Sequence, residues 1–474
     1  MNTLQRIAQN TIARSVAEIL NRAGSAIFWV LVTRAHGAKG LGILALSTSL
    51  TGVFSMLATL GLGSLVIREV SKDERMSGQL LVAGLVLGTA GALLATVAMM
   101  GFVSIMGYER EASRACYLMS LSLVPMSLFY WLRAVLCGLQ EMHFPTFGRA
   151  IENLVKVGVG VVLISHGATI MTLVGLVVFS RFAGALALAW ATFTRERLTD
   201  VRFNWSLIKR LVSETPVFFG STLFNSMFWS VPIMLLPKLS TVEAAGLYSA
   251  AYKVVDLLLL LSSAFALAIF PVMARMSRLS ERLFRDVCLK SLKLVLFFSL
   301  ALAAGGTVLA DRIVVLLYGR DMVIAAPGLQ VLIWSLLSAG VTQIAAYALI
   351  VRNQQKLDMI GNGVAFATIL ALSLLLIPRA GVAGGVLAAL LATVVFAIVE
   401  LYFVDRTLFW LPLGASAIKP FLAALAMVMV VFFCHNVSLT LQVIAGGLVY
   451  VVLLVLTGAI TQGDRELLRQ LRTI

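Results

Sequence analysis

The chain has 474 residues, of which 60% are hydrophobic and only 12% charged, and its mean hydropathy is +0.98. No ordinary soluble domain has that balance, so the protein is expected to live in a membrane. Its net charge of +15 needs no nucleic acid, because basic loops beside an anionic leaflet account for it, and the scattered Cys116, Cys137, Cys288 and Cys434 make neither a disulfide framework nor a CxxC metal pair.

The first 25 residues lack a compact apolar core followed by a small-residue cleavage site, so no cleaved signal peptide is expected. Polar breaks divide the chain into about fourteen apolar spans: 12–33, 41–66, 79–105, 115–137, 149–166, 170–192, 214–236, 247–270, 288–310, 327–350, 359–377, 383–403, 419–435 and 440–461. The connections are short, leaving no room for a separate soluble domain. With the N-terminus inside, 24 Lys and Arg fall on cytoplasmic turns and tails and 8 on outer turns, which predicts that both termini are cytoplasmic.

An internal repeat appears at an offset of about 205 residues. Phe28-Trp29 precede a turn and then Gly42-Ile43-Leu44-Ala45-Leu46-Ser47, as Phe228-Trp229 precede a turn and then Gly246-Leu247-Tyr248-Ser249-Ala250-Ala251. Both halves start inside, so the repeat is parallel, about an axis along the membrane normal. The expected fold is an all-α integral membrane protein of about 14 transmembrane helices, two parallel six-helix lobes around a central cleft plus two C-terminal helices. The expected divisions are an N-lobe over 1–210, a C-lobe over 211–403, and the last two helices with a cytoplasmic tail over 404–474.

Five cations remain within spans: Arg22, Arg133, Lys156, Arg181 and Lys253. At roughly 2.5 to 3.5 kcal/mol each on insertion scales, they must face protein or water. In the first span Asn10, Arg14, Glu18 and Arg22 recur every four residues, a polar stripe that continues toward Ser25 and Trp29. An interfacial amphipathic helix over 3–22 is the competing reading. Arg149, Glu152, Asn153 and Lys156 repeat the pattern in the fifth span, and Tyr248, Tyr252, Lys253 and Asp256 share one face of the eighth. Arg133 stands where a long side chain can also snorkel to the surface. Glu152 with Lys156, and Asp256 with Lys253, also read as locally neutralised pairs. Arg181 has no acid within four residues.

Together these residues form a cationic cleft suited to a phosphate or pyrophosphate. Trp29, Trp229, Tyr248 and Tyr252 offer flat faces for sugar rings, although such aromatics also serve as core or interfacial residues. Asp256, Glu18 and Glu152 are the carboxylates available to carry a coupled proton or sodium ion. The chain has no GxxxxGK[ST] phosphate loop and no GxSxG or HExxH motif, so neither ATP hydrolysis nor another enzymatic activity is expected, and no cofactor or metal.

Four stretches then carry a resemblance. The hairpin 214–271, with AAGLYSAAYKVVDLLLLL and Phe270-Pro271, resembles the seventh and eighth helices of the Wzx-type polysaccharide-export flippases of the MOP superfamily. LGLGSLVIRE (60–69), DRIVVLLYGRDMVIAAPGLQVLIWSLL (311–337) and RNQQKLD (352–358) followed by IPRAGVAGGVLAALLATVV (377–395) agree in order. The resemblance implies a fourteen-helix, two-lobed carrier that moves an undecaprenyl-pyrophosphate-linked oligosaccharide, or a similar lipid-linked sugar, to the outer leaflet by alternating access. Its implied partners are that lipid, the surrounding membrane lipids, and a polymerase and glycosyltransferases of the same pathway.

In the related lipid II flippases, arginines line a cationic cavity and the last two helices pass the lipid tail. Arg22 and Lys253 are the nearest positional matches here. Many relatives carry an Asp where this chain has Ser230-Val231-Pro232, and an acid where Thr59-Leu60 stand, which argues against cation coupling through those sites. A cation-coupled drug exporter of the same superfamily and a membrane glycosyltransferase or polymerase are the competing readings.

Overall fold

In hydrocarbon every backbone N–H and C=O must be satisfied within the chain, and a helix does this without help from a neighbour. The computed structural model describes the backbone of residues 3–194, 200–409, 414–434 and 437–459, and their side chains except those of 3–23, 214–222 and 414–417. The described residues contain helices and turns and no strand. In chain order the helices are α1 (Thr3–Thr59), α2 (Gly63–Lys72), α3 (Ser77–Met106), α4 (Arg110–Ser120), α5 (Leu123–Gly138), α6 (His143–Ser165), α7 (Ile170–Phe193), α8 (Trp205–Leu239), α9 (Val242–Leu279), α10 (Glu281–Tyr318), α11 (Ala326–Leu332), α12 (Ser335–Val351), α13 (Gln355–Thr407), α14 (Gly414–Phe433) and α15 (Leu439–Leu456).

The all-helical membrane fold expected from the sequence is what the described residues form, while the exact count of fourteen spans is not established by them. Eight described helical stretches are long and apolar enough to cross a membrane, or nine if the pair Arg320–Leu332 and Ser335–Val351, bent by 44°, is one span. Two physical causes account for much of the difference. First, α1 and α13 each run through two of the expected spans, changing direction at a single glycine instead of a loop. Gly37 (φ 62°, ψ −158°) and Gly381 (φ 52°, ψ −122°) hold backbone conformations that a residue with a Cβ would strain to adopt. Second, α6 carries Arg149, Glu152 and Lys156 within its apolar length.

By packing, the chain forms two units, Met1–Gly246 and Leu247–Ile474. Within the first unit α8 packs on α1. Inside that unit one core joins Phe28, Leu44, Met99, Met119 and Leu173, and another joins Leu80, Trp131, Leu132 and Leu188. Lipid tails are as apolar as leucine, so close packing and hydrogen bonds hold such helices together. Trp131 illustrates both. Its ring fills a notch left by Gly84 and Gly88, and its Nε1 donates at 3.4 Å to the Ala58 carbonyl, which also accepts from Ser127 Oγ at 3.2 Å. That carbonyl lies in the last turn of α1, where no intrahelical partner remains.

The repeat also leaves a mark. Gly42 and Gly246, which occupy equivalent positions in the repeated motif, meet backbone to backbone: a methyl on Gly42 would overlap the Val242 carbonyl, and one on Gly246 the Ala38 carbonyl.

At α2, Glu69 gathers Arg68 and Lys72 at 3.2 Å each and Arg210 of α8 at 3.5 Å. The hydrogen bond from Lys72, with the charges of Arg68 and Arg210, holds the Glu69 carboxyl below the ordinary carboxylate value. Its contribution to stability is therefore present above that ordinary value and lost as pH falls through the lower folded one. The difference in thermal midpoint between wild type and Glu69→Gln should accordingly shrink on acidification. A constant difference down to strongly acid pH would show that Glu69 acts by packing alone.

The second unit has its own polar tie. Arg312 on α10 donates to Gln442 Oε1 at 2.7 Å and to the Val437 carbonyl at 3.0 Å, while Gln442 Nε2 donates to the Cys434 carbonyl at 2.8 Å. Tyr450 OH donates to the Phe297 carbonyl at 2.9 Å. These bonds dock the α14–α15 pair on α10, where Leu300, Met427 and Leu454 form a shared apolar cluster.

Candidate functional site: a cationic cluster inside the first unit

Three helices and one interhelical turn of the first unit converge on the charges that the sequence places within spans. On α6, Arg149, Glu152, Asn153 and Lys156 follow one another at spacings of three, one and three, and so share one face. That face can approach α7 closely because Gly148 and Gly184 stand opposite each other. A methyl on either would lie about 3 Å from the other's carbonyl oxygen, and one on Gly184 would also press on Glu152 Cβ.

Glu152 and Lys156 are buried, at 8% and 9% exposure. Glu152 Oε2 receives Arg149 Nη1 at 2.7 Å, and the Arg149 guanidinium also sits 4.2 Å above the Phe129 ring of α5. Lys156 donates to Ser25 Oγ of α1 at 3.0 Å, and Ser25 in turn donates to Asn153 Oδ1 at 3.3 Å. Across the helix pair, Arg181 of α7 donates to Ser122 Oγ, with Met119 Sδ at 3.8 Å; Glu152 and Arg149 are the charges that act on it.

Arg149 thus pairs with the Glu152 carboxylate, whose charge also acts on Arg181, while Lys156 on the same face of α6 donates to Ser25. Chemically the set brings two guanidinium groups, one of them exposed, and a buried ammonium onto one part of the unit, donor types that bind an anion with several oxygens. A guanidinium and an ammonium together supply both a planar fork and a point charge.

Of the residues singled out from sequence, Lys156, Arg181 and Glu152 come together here. The side chains of Arg22 and Glu18 lie outside the described residues. Arg133, on α5, is exposed. Trp29 is half-buried against the first core, and Trp229 packs edge-on against Phe228 with ring centroids 5.0 Å apart.

The second unit holds the remaining set. On α9, Tyr248 is buried and stacks on Tyr252, with ring centroids 6.2 Å apart and planes within 11°. The Lys253 ammonium lies 5.9 Å from the Tyr252 ring centre, and Asp256 is the opposite charge that acts on it. Tyr248 is thus occupied as a core residue, and Tyr252 as the bed for a cation.

Sequence reasoning put Arg149 on the polar face of the fifth span and Ser25 on the stripe of the first, but did not single out Ser122. A Ser or Arg at the margin of a span gives no sign of which neighbouring helix it will face.

Comparison with known proteins follows this geometry. The family described as "Polysaccharide biosynthesis protein" matches residues 7–277. A search of curated proteins finds no match. Among solved structures, the lipid II flippase MurJ in an inward closed conformation is similar over 94% of this chain and 99% of its own, at 16% identity and a TM-score of 0.78. An inward-facing multidrug resistance MATE transporter of the MOP superfamily is similar over 82% of this chain and 94% of its own, at 13% identity and a TM-score of 0.70. A MOP superfamily transporter from Pyrococcus furiosus, whose title notes a reversed polarity of the binding pocket, is similar over 85% of this chain and 94% of its own, at 13% identity and a TM-score of 0.56. These likenesses establish a shared fold.

Proposed function

The chain belongs to the polysaccharide biosynthesis protein family, and from that premise we propose that it is a flippase carrying a polyprenyl-(pyro)phosphate-linked oligosaccharide from the cytoplasmic to the outer leaflet. The observation that carries the reading is the cluster of Arg149, Lys156 and Arg181 around Glu152. A pyrophosphate offers several charged oxygens to groups of that donor type. Bringing it among fixed donors in a low-dielectric interior makes each charge-assisted bond stronger than in water. Arg149 and Arg181 are the groups expected to take the phosphate oxygens, and Lys156 to add charge from the α1 side.

The family description supports a role in polysaccharide biosynthesis, and the fold shared with a lipid II flippase supports a lipid-linked cargo. In this reading the inner membrane is the site of action and both chain ends are cytoplasmic, as the distribution of Lys and Arg supports. A polymerase and glycosyltransferases of the same pathway would be its partners. The fold shared with multidrug MATE transporters supports a second reading, export of small molecules. Against it stands the cationic excess, which repels the cationic compounds that carboxylate-lined cavities accept.

The deciding experiment scores, in cells with and without this protein, the fraction of lipid-linked oligosaccharide reached by a membrane-impermeant sugar oxidant. Expression should raise the outer-leaflet fraction, and a Ser206→Cys thiol in the same intact cells should stay unlabelled by an impermeant reagent. An unchanged leaflet distribution with the protein present would overturn the flippase reading; labelling at position 206 would overturn the orientation.

A further inference from the structure

Far along the chain, α13 folds back on itself at Gly381. Its two arms run side by side: Gly384 lies against the Leu376 carbonyl near the bend, and Gly361 lies against Glu400 toward the ends. Glu400 is wholly buried, at 0% exposure, and neither carboxyl oxygen has a hydrogen-bond partner among the described residues. A methyl on Gly361 would overlap Glu400 Oε1, so the missing side chain at 361 is what makes room for the carboxyl head. The neighbours along its own arm are apolar, with Ala397 packed among Ala266, Leu292, Val341 and Ile344, and Val404 against Ala345 and Leu349.

An ionised carboxylate in such a place would be an uncompensated buried charge, among the costliest arrangements a protein can hold. The surrounding elements offer it no evident cation. α11 contains no ionisable residue, and α12 only Tyr347, whose ring packs edge-on against Phe270. α9 carries no charge between Asp256 and Arg275, and on α10 the nearby Lys293 ammonium lies over the Phe297 ring, with Lys290 three residues before it. On α13 itself, Arg379 sits at the bend, Lys356 lies in the first turn and Asp405 and Arg406 in the last turns, and the charge that acts on Glu400 is another acid, Asp358, whose backbone carbonyl accepts from Asn362 at 2.9 Å. No group of three or more His, Cys, Asp or Glu able to hold a metal ion occurs among the described residues.

We propose that Glu400 is a proton-binding site in the second unit: the carboxyl is held as the neutral acid in the Gly361 notch, and loss of its proton charges the base of the α13 hairpin and drives the two arms apart. The neighbouring acid reinforces this, since two carboxylates that feel each other resist ionising together. The site is distinct from the cationic cluster and does not depend on what that cluster binds.

The test uses the full-length protein in lipid nanodiscs without any lipid-linked sugar. Infrared difference spectra are followed against pH for the carbonyl stretch of a protonated carboxyl, alongside thermal midpoints. Wild type should show a protonated-carboxyl band that disappears as pH rises, with the midpoint falling in step. Glu400→Gln, a neutral isostere, should lack the band and have a midpoint flat across the same range. Asp358→Asn should keep the band and move its disappearance to lower pH, a readout available even if Glu400→Gln fails to fold. A wild-type spectrum with no such band, or a band and midpoint profile unaltered in Glu400→Gln, would overturn the proposal. Because no cargo is present, failure here leaves the flippase reading standing, and failure of flipping leaves the proton site standing.

Discussion

Arg181→Ala is expected to reduce flipping at least about tenfold while leaving the amount of protein in the membrane near the wild-type level. Hydrogen bonds to charged groups are worth roughly 1.5 to 3 kcal/mol, and each ~1.4 kcal/mol is tenfold, so losing one donor to an anionic cargo gives a loss of that order. Abundance should hold because the partners left behind are already engaged. Ser122 Oγ donates to the Met119 carbonyl at 2.6 Å, and Glu152 keeps Arg149 at 2.7 Å. Arg181→Lys should fall between, since it restores charge without the planar fork. Leaflet assays on cells matched for protein level read all three. Full activity in Arg181→Ala would remove the cationic interior as the cargo site, whatever the protein carries.

The second large effect is expected at Lys253. Lys253→Ala should impair transport to a comparable degree, and here a purely structural cause competes, because Asp256 is the opposite charge acting on the ammonium and a half-buried carboxylate left without its cation is itself disruptive. The double variant Lys253→Ala with Asp256→Ala separates the two. If Lys253 serves only to neutralise Asp256, the double variant recovers activity; if Lys253 meets the cargo, it stays impaired. Recovery would confine the anion site to the first unit.

Much of the fold was legible because charge in lipid is rare enough to be read directly. Lys156, Arg181 and Glu152 stood out as intramembrane charges, and the helical spacing of 149, 152, 153 and 156 placed four polar groups on one face. The two glycines of the repeated motif, Gly42 and Gly246, meet backbone to backbone. The breaks expected at 34–40 and 378–382 are where Gly37 and Gly381 turn α1 and α13; what stayed hidden is that helix continues on both sides of each turn. Gly37 stands among Arg34, His36 and Lys39, and Gly381 follows Pro378 and Arg379, so polar residues mark each turn in the sequence. Partnership was equally hidden. Nothing in the sequence marks Ser122 as the acceptor for Arg181, because that bond depends on how α4, α5 and α7 cross. Glu400 escaped notice for a related reason: an acid near the end of an apolar span reads as interfacial until the opposite arm is seen to bury it.

The bend at Gly381 also fixes the length of the chain around it. Most connections between elements take up an added or deleted residue as slack. A helix that turns at one residue has none. One residue inserted in the first arm would rotate its register by about 100° relative to the second. Gly361 would then move off Glu400 and a side chain would take its place in the notch. Between positions 361 and 400, therefore, substitution should be easier to accommodate than any change in residue number.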